Sequence, residues 1–220
     1  AGAGDGGAGR DAGRGGAGGF MRPAREAGRR ARGWAASGVL WGGRLTVGCG
    51  VGDMEAGRRA LGVSRAERGA RTDEDLAALR ALWQEPVPEF AGRFVSFEKV
   101  VQRPLPDQRP HPPIVIGGHS AAAYQRAVTT GNGWYGWQLN VEETAQAIAT
   151  PGEIGKRHQR PADLGELEIT ITPPGTIDLD TARRYAETGV SRLAIQPERF
   201  EDGAMQELIT RTGETLIGRI

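Results

Sequence analysis

IVIGGHSAAAYQRAVTT, residues 114–130, is the stretch that decides the fold. Ile114, Val115 and Ile116 form an apolar run without alternation, the pattern of a strand covered on both faces in a parallel sheet. Gly117 and Gly118 stop the run. Ser120 then stands where a helix N-cap belongs, ahead of the alanine-rich segment that ends near Thr129. A buried strand passing through two glycines straight into a capped helix is one βα unit.

Related units lie on both sides. Upstream, residues 45–51 (LTVGCGV) read as a short buried strand ending in alternate glycines. Ser64 with Glu67 three residues on has capping-box spacing and predicts a helix to about Trp83. Residues 84–113 form a Pro-punctuated insert, with a hairpin at 90–94 and an extended arm over 104–113. Downstream, a short strand near Trp134 precedes a helix from Val141 to about Ala149. LEITIT, residues 167–172, alternates as a strand. Asp178 caps a helix that ends at Gly189. A last strand over 192–195 and a closing helix over 202–216 complete the chain. Strand and helix alternate five times, which predicts an α/β fold of the (β/α)8 TIM-barrel type, incomplete, with about five of eight βα units.

A full barrel takes about 250 residues, and this chain has 220, not all of them suited to a core. Of its 35 glycines many fall in residues 1–37, a low-complexity segment poor in large apolar side chains. Such chain cannot offset its ordering entropy by burial, so it is expected to be disordered. Gly, Ala and Arg are also what GC-rich codons yield out of frame, so roughly the first 35 residues are expected to be a frameshifted read. An intact upstream reading frame encoding them in register would refute that. Residues 38–220 carry the globular pattern.

The net charge of +1 gives no reason to expect nucleic acid or an anionic membrane as partner. A single cysteine, Cys49, excludes an internal disulfide framework and suits a reducing cytoplasm. No apolar run approaches the ~20 residues needed to span a bilayer.

Taken in order, several segments are similar to the luciferase-like monooxygenase superfamily over about residues 38–220. LWGGRLTVGCGVG (40–52) resembles its fourth-strand signature. LGV (61–63), ERGARTDE (67–74) and LRALW (79–83) follow in the family's order, as do FAGRF (90–94), PHPPIVIGGHS (110–120), GNGW (131–134) and YAETGV (185–190). The likeness is to the C-terminal portion, with no counterpart for the first three strands. The family's helix upstream of Leu40 has an apolar stripe, and here Arg and Gly fill those positions. After Gly52 the family shows aromatic and acidic side chains, whereas this chain has Asp53, Met54, Glu55, Ala56, Gly57 and Arg58.

The resemblance implies an oxidoreductase that passes hydride between coenzyme F420, a deazaflavin, and a small-molecule substrate, with FMN as the alternative cofactor. It also implies a homodimer. An FMN-dependent monooxygenase of the same family is the rival chemistry, and a truncated, non-catalytic barrel fragment is the rival from another class. A dinucleotide-binding dehydrogenase is weaker, because Gly48-x-Gly50-x-Gly52 lacks the two-residue gap before the third glycine.

Gly117, Gly118, His119 and Ser120 are the leading candidates for cofactor binding. Barrel sites gather at the C-terminal ends of strands, double glycine lets backbone approach a ligand, and a capped helix start leaves N–H groups for an anion. The resemblance assigns that anion as the cofactor's phosphate; alone, the segment also reads as an ordinary strand-to-helix turn. His119 is equally a phosphate donor or a solvated loop histidine. Gly50 and Gly52 are implied beside the ring, although close packing at the barrel centre explains small residues there too. Some relatives place a carboxylate near this strand end, where this chain has Val51. Trp134 and Trp137 read as core more readily than as pocket wall, and Cys49 reads as a small buried residue. His111 and His158 lack partners at metal-ligand spacing, so no metal is expected. No spacing assigns a catalytic residue, which suits chemistry carried by a cofactor.

Overall fold

In a computed structural model the structure describes residues 15–20, 27–51, 62–197 and 202–219. The chain divides into two compact units, Ala1–Val115 and Ile116–Ile220.

In the first unit β1 (Gly15–Phe20) pairs in parallel with β2 (Leu45–Gly50), from Gly15 opposite Leu45 to Phe20 opposite Gly50. Between them lies α1 (Ala27–Leu40), where the sequence suggested low-complexity chain without order. The reason is visible in what α1 buries: Ala27, Ala31, Ala35 and Gly38 fall on one stripe at helical spacing. Small side chains bring the helix close to its neighbours, and Trp83 fills the remaining space with its indole N–H donating to Ala31 O at 3.0 Å. β1 likewise stands where no counterpart to an earlier strand was expected.

α2 (Arg68–Gln84) buries Leu76, Leu79, Leu82 and Trp83. Ser64 Oγ does accept from Glu67 N at 3.2 Å, but this closes a turn ahead of the helix. The Glu67 carboxylate does not return to Ser64; it accepts from Arg71 and Arg93 at 3.2 and 2.8 Å. The insert begins with the hairpin β3 (Phe90–Ala91) and β4 (Ser96–Phe97), slightly longer than its sequence signal. Glu74 of α2 holds its turn, accepting from Arg93 N at 3.1 Å, Phe94 N at 2.6 Å and Val95 N at 2.5 Å. Arg71 and Arg93 both lie over the Phe94 ring, 4.2 and 4.7 Å from its centroid. A Cβ on Gly92 would collide with the Glu74 carboxylate where it now lies, so a larger residue there would displace the acid from the turn. Further on, Gln108 brackets the start of β2, accepting from Leu45 N and donating to Leu45 O, as a neighbouring strand would. Val47 N donates to Pro113 O at 2.8 Å, so the chain entering the next strand runs alongside β2.

That strand, β5 (Ile114–Gly117), crosses from one unit to the other, and its three apolar residues are buried as their lack of alternation predicts. In the second unit α3 (Ala121–Thr129) follows it, then β6 (Gly133–Trp137), α4 (Val141–His158), β7 (Glu168–Thr172), α5 (Leu179–Glu187), β8 (Arg192–Leu193) and α6 (Asp202–Thr215). β6, β7 and β8 are parallel, with Trp134 opposite Ile169 and Ile171 opposite Leu193. α4 runs nine residues beyond the expected end at Ala149. Pro151 lies inside it, buried, and Lys156, Arg157 and His158 complement the dipole of its last turn. At its other end Asn140 and Glu143 form a reciprocal capping box. Asp178 caps α5 as expected, accepting from Thr181 N at 2.8 Å, and Gly189 (φ +93°) ends it.

The five βα units counted from the sequence are all present, and β1–α1 adds another. The architecture is α/β of the TIM-barrel type, and the barrel is incomplete: the described parallel strands fall short of eight. Among the described residues no helix is long and apolar enough to cross a membrane.

Candidate functional site

The C-terminal end of β5 is built around one buried indole. Trp134, fully buried on β6, donates from Nε1 to Gly118 O at 2.8 Å and packs against Tyr124 of α3 with ring centroids 5.2 Å apart. Gly118 N donates to Tyr135 O at 3.4 Å. These contacts turn the chain sharply at Gly118, whose φ of +124° is a conformation that L side chains avoid. Trp134 is therefore core, and its polar edge shapes the loop.

Ser120 has the extended backbone of an N-cap and accepts from Ala123 N at 3.2 Å. That satisfies one of the free amides of α3. Those of Ala121 and Ala122 have no acceptor among the described residues, and both residues are exposed together with Gly118, His119 and Ser120. The residues that carry these amides lie at the surface rather than beneath packed side chains.

His119 is exposed, and its Nε2 accepts from Trp137 N at 3.1 Å, which makes Nε2 the acceptor nitrogen and Nδ1 the one left to donate. This bond ties the end of β5 to the end of β6, where Trp137 is 49% exposed.

The structure thus brings Gly117, Gly118, His119 and Ser120 together in the second unit. Gly50 lies in the first unit at the end of β2, where an added Cβ would meet nothing within 4 Å among the described residues, so packing does not demand a glycine there. Gly52 and residues 53–58 fall outside the described residues. Cys49 is 3% exposed, and burial pushes its thiol up to about 12, in keeping with an inert packing residue. No cluster of His, Cys, Asp or Glu able to hold a metal occurs among the described residues.

Sequence reasoning missed the opposite face of β6–β8. Trp134 and Ile171 point to the helix side, where a Cβ on Gly136 would come within 2.8 Å of Ile171, Leu139 and Trp134. Alternation then sends Tyr135, Trp137, Thr170 and Thr172 to the other side, since partners in register share a face. Tyr135 Oη and Thr172 Oγ1 are 2.8 Å apart. Arg192 of β8 pairs with Glu168 at 3.1 Å and reaches Thr170 Oγ1 at 3.5 Å. The alternate threonines of LEITIT were the available signal. A separate cavity of about 350 Å³ between α5, β8 and α6 has mainly apolar walls, including Ala186, Leu193, Ile195 and Leu216.

A family model described as luciferase-like monooxygenase matches residues 16–211, nearly the whole chain. The chain belongs to that family. An uncharacterised protein of Mycobacterium tuberculosis is 27% identical over 157 residues, covering 71% of this chain and 52% of that protein. An FMNH2-dependent dimethylsulfone monooxygenase of Pseudomonas putida is 33% identical over 125 residues, 52% of this chain and 34% of the enzyme. The coenzyme F420-dependent tetrahydromethanopterin reductase of Methanopyrus kandleri superposes with a TM-score of 0.71 at 15% identity, covering 91% of this chain and 82% of that one. At that identity the likeness establishes the luciferase-like fold. The chain spans about half the length of the curated mycobacterial relative it matches.

Proposed function

We propose that the chain holds coenzyme F420 for hydride exchange with a small organic substrate, the phosphate of the cofactor lying at Gly117, Gly118, His119 and Ser120. One observation carries this reading: the Ala121 and Ala122 amides stand open at the start of α3, immediately after a glycine turn that the Trp134 indole holds in place. Helix dipole and bare N–H groups favour an anion there, typically by 0.3–1 kcal/mol and up to ~2 when partly buried. The Nδ1–H of His119 adds a donor whose tautomer the Trp137 amide fixes.

When bound, a deazaflavin supplies two-electron hydride chemistry, whereas a flavin also permits oxygen activation. The residues of this chain bind and orient. The glycine turn and helix start fix the tail, and Trp137 offers an apolar surface beside it. FMN-dependent monooxygenation is the second reading, favoured by the 33% identity to the Pseudomonas putida enzyme. A homodimer in the cytoplasm is the setting proposed for the full protein.

Titrating the purified chain with coenzyme F420 and with FMN, followed by cofactor fluorescence, tests the reading. Saturable binding that inorganic phosphate competes away supports it, and the tighter cofactor decides between hydride transfer and monooxygenation. Absence of binding by either would leave a non-catalytic barrel fragment.

A further inference from the structure

The bond between His119 and Trp137 stands where the strand ladder breaks off. In a regular parallel pair the Gly118 amide would donate to Tyr135 O, and the Trp137 amide back to Gly118 O. The first bond is present, at 3.4 Å. The second is replaced, because the turn at Gly118 gives its carbonyl to the Trp134 indole at 2.8 Å. The His119 ring supplies the acceptor instead, its Nε2 taking the Trp137 amide at 3.1 Å. A strand carbonyl accepts at any pH, whereas an imidazole nitrogen accepts only while it is unprotonated. The last bond from β6 toward β5 therefore depends on one proton.

What this bond restrains is a short, strained segment. Gln138 has a φ of +49°, in the left-handed region that a residue with a side chain enters only under constraint. Beyond it Leu139 is fixed twice, its amide donating to Thr172 O at 3.3 Å and its carbonyl accepting from Tyr185 Oη at 2.7 Å. On the near side the Trp137 amide has His119 as its acceptor. Losing that bond leaves Leu139 in place and frees Trp137 and Gln138 to relax. His119 is exposed and meets uncharged groups, the Trp137 amide and the Trp134 ring, with 6.1 Å between ring centroids. The charged or titratable groups on the adjoining elements are Tyr124 and Arg126 of α3, Tyr135 of β6, and Glu142 and Glu143 in the first turn of α4. Glu142 pairs with Arg184 and Glu143 accepts from Asn140 N, and no ion pair to His119 occurs among the described residues.

We infer that His119 is a proton-operated latch on the Trp137–Gln138 end of β6, closed while the ring is neutral and open once it is protonated, and that an anion at the start of α3 draws that proton. Imidazole is the side chain that changes charge between about pH 8 and 5. Protonation puts a hydrogen on Nε2, facing the Trp137 N–H, so the bond becomes a contact between two donors. The charge then lies close in sequence to the Ala121 and Ala122 amides, and an anion held there stabilises the charged ring. By linkage the proton strengthens anion binding by the same factor. Retention of the anion and release of Trp137 are then one equilibrium. The proton half stands on the hydrogen bond alone; the anion half rests on the cradle proposed above.

The test follows backbone amide signals of the ¹⁵N-labelled full chain by NMR from about pH 8 to 5. Sulfate is the anion probe, because its charge does not change over that range, and ionic strength is held constant. In the unaltered chain the Trp137 amide should move upfield in one step as pH falls, while the Leu139 amide, held by Thr172, stays. His119→Gln offers a carbonyl acceptor that does not titrate, so the Trp137 signal should stay at its bonded position throughout. His119→Ala removes the acceptor and should hold that signal at the released position at every pH. His111 and His158 remain in both variants, so a step caused by either would persist. Sulfate should move the Ala121 and Ala122 signals and raise the Trp137 step by about 0.5 pH unit, equivalent to about threefold tighter binding of the anion to the open form. A Trp137 amide without a step, or one whose step survives His119→Gln, would overturn the latch. Sulfate that shifts the Ala121 and Ala122 signals but not the step would overturn the coupling and leave the cradle standing. If it shifts neither, the cradle reading falls and the coupling with it, while the latch is decided by the pH series alone.

Discussion

Arg160, two residues past the end of α4, should be worth more to stability than its half-exposed position suggests. Its guanidinium donates to Ala127 O at 3.1 Å, Val128 O at 2.8 Å, Gly131 O at 2.9 Å, Leu164 O at 3.1 Å and Gly165 O at 2.7 Å. Ala127 and Val128 belong to the last turn of α3, whose carbonyls lack helical partners. Five bonds at charged-group strength would overshoot any credible value. Gly165 is exposed and can return to water at little cost, whereas Ala127, Val128, Gly131 and Leu164 are buried. Ala127, Val128 and Gly131 share the two hydrogens of Nη1, so three hydrogens serve the four buried acceptors; at about 1.5 kcal/mol for each, and returning ~2 kcal/mol of arginine rotamer entropy, roughly 2.5 kcal/mol remains, charge at a helix C-terminus included. Arg160→Ala should therefore lose about 2–3 kcal/mol, read as a lower guanidinium chloride midpoint at unchanged slope. Arg160→Lys keeps the charge but not the planar fork, and should recover less than half. A loss below ~0.5 kcal/mol for alanine, or full stability for lysine, would refute the reasoning. Because Gly131 leads directly into β6, the alanine variant should also weaken cofactor binding.

Gly118→Ala must hold a Cβ at φ +124°, 3.2 Å from the Ala123 Cβ, so it should cost about 1–2 kcal/mol and distort the anion cradle; phosphate-competable cofactor binding should fall severalfold. Cys49, with its thiol pushed up to about 12 by burial, should resist a thiol reagent at pH 8 in the native chain and react fully in denaturant. Rapid native labelling would contradict the packing described. The hydrogen bond from Thr181 holds the Asp178 carboxyl below its ordinary 3.8, so the cap stabilises α5 above that pH and its contribution is lost as pH falls through the lower folded value; Asp178→Asn should remove this acid dependence from the helical signal.

What could be read in advance depended on whether a signal was local. The β5–α3 unit was legible to the residue, because burial on both faces, a double glycine and a serine cap are all written within seven positions. α1 was not, because its buried stripe is Ala27, Ala31, Ala35 and Gly38, residues whose contribution is closeness rather than apolar bulk. α4 continues past the expected end near Ala149, through Pro151, which it buries. At Glu67 the spacing correctly indicated a bond with Ser64, but two arginines, one of them 26 residues distant, claim the carboxylate. Near the candidate site, the strand end, glycine turn and serine cap over Gly117 to Ser120 were legible as local structure, and so was the core character of Trp134. The tautomer of His119 and the Tyr135–Thr172 pair were not, since both depend on which strand lies beside which. Alternation in a strand tells which residues share a face, but it leaves open which face a helix will cover.

The carboxylate of Glu74 occupies the volume that a side chain on Gly92 would need, while gathering the three amides that follow it. Two positions 18 apart in the chain are in this sense a single inherited choice. A lineage that enlarged the glycine would have to surrender the acid as well, and with it the anchorage of the turn. A larger residue at the glycine would displace the acid from the three amides, while loss of the acid alone would leave the turn unanchored, so change at one place alters what the other does.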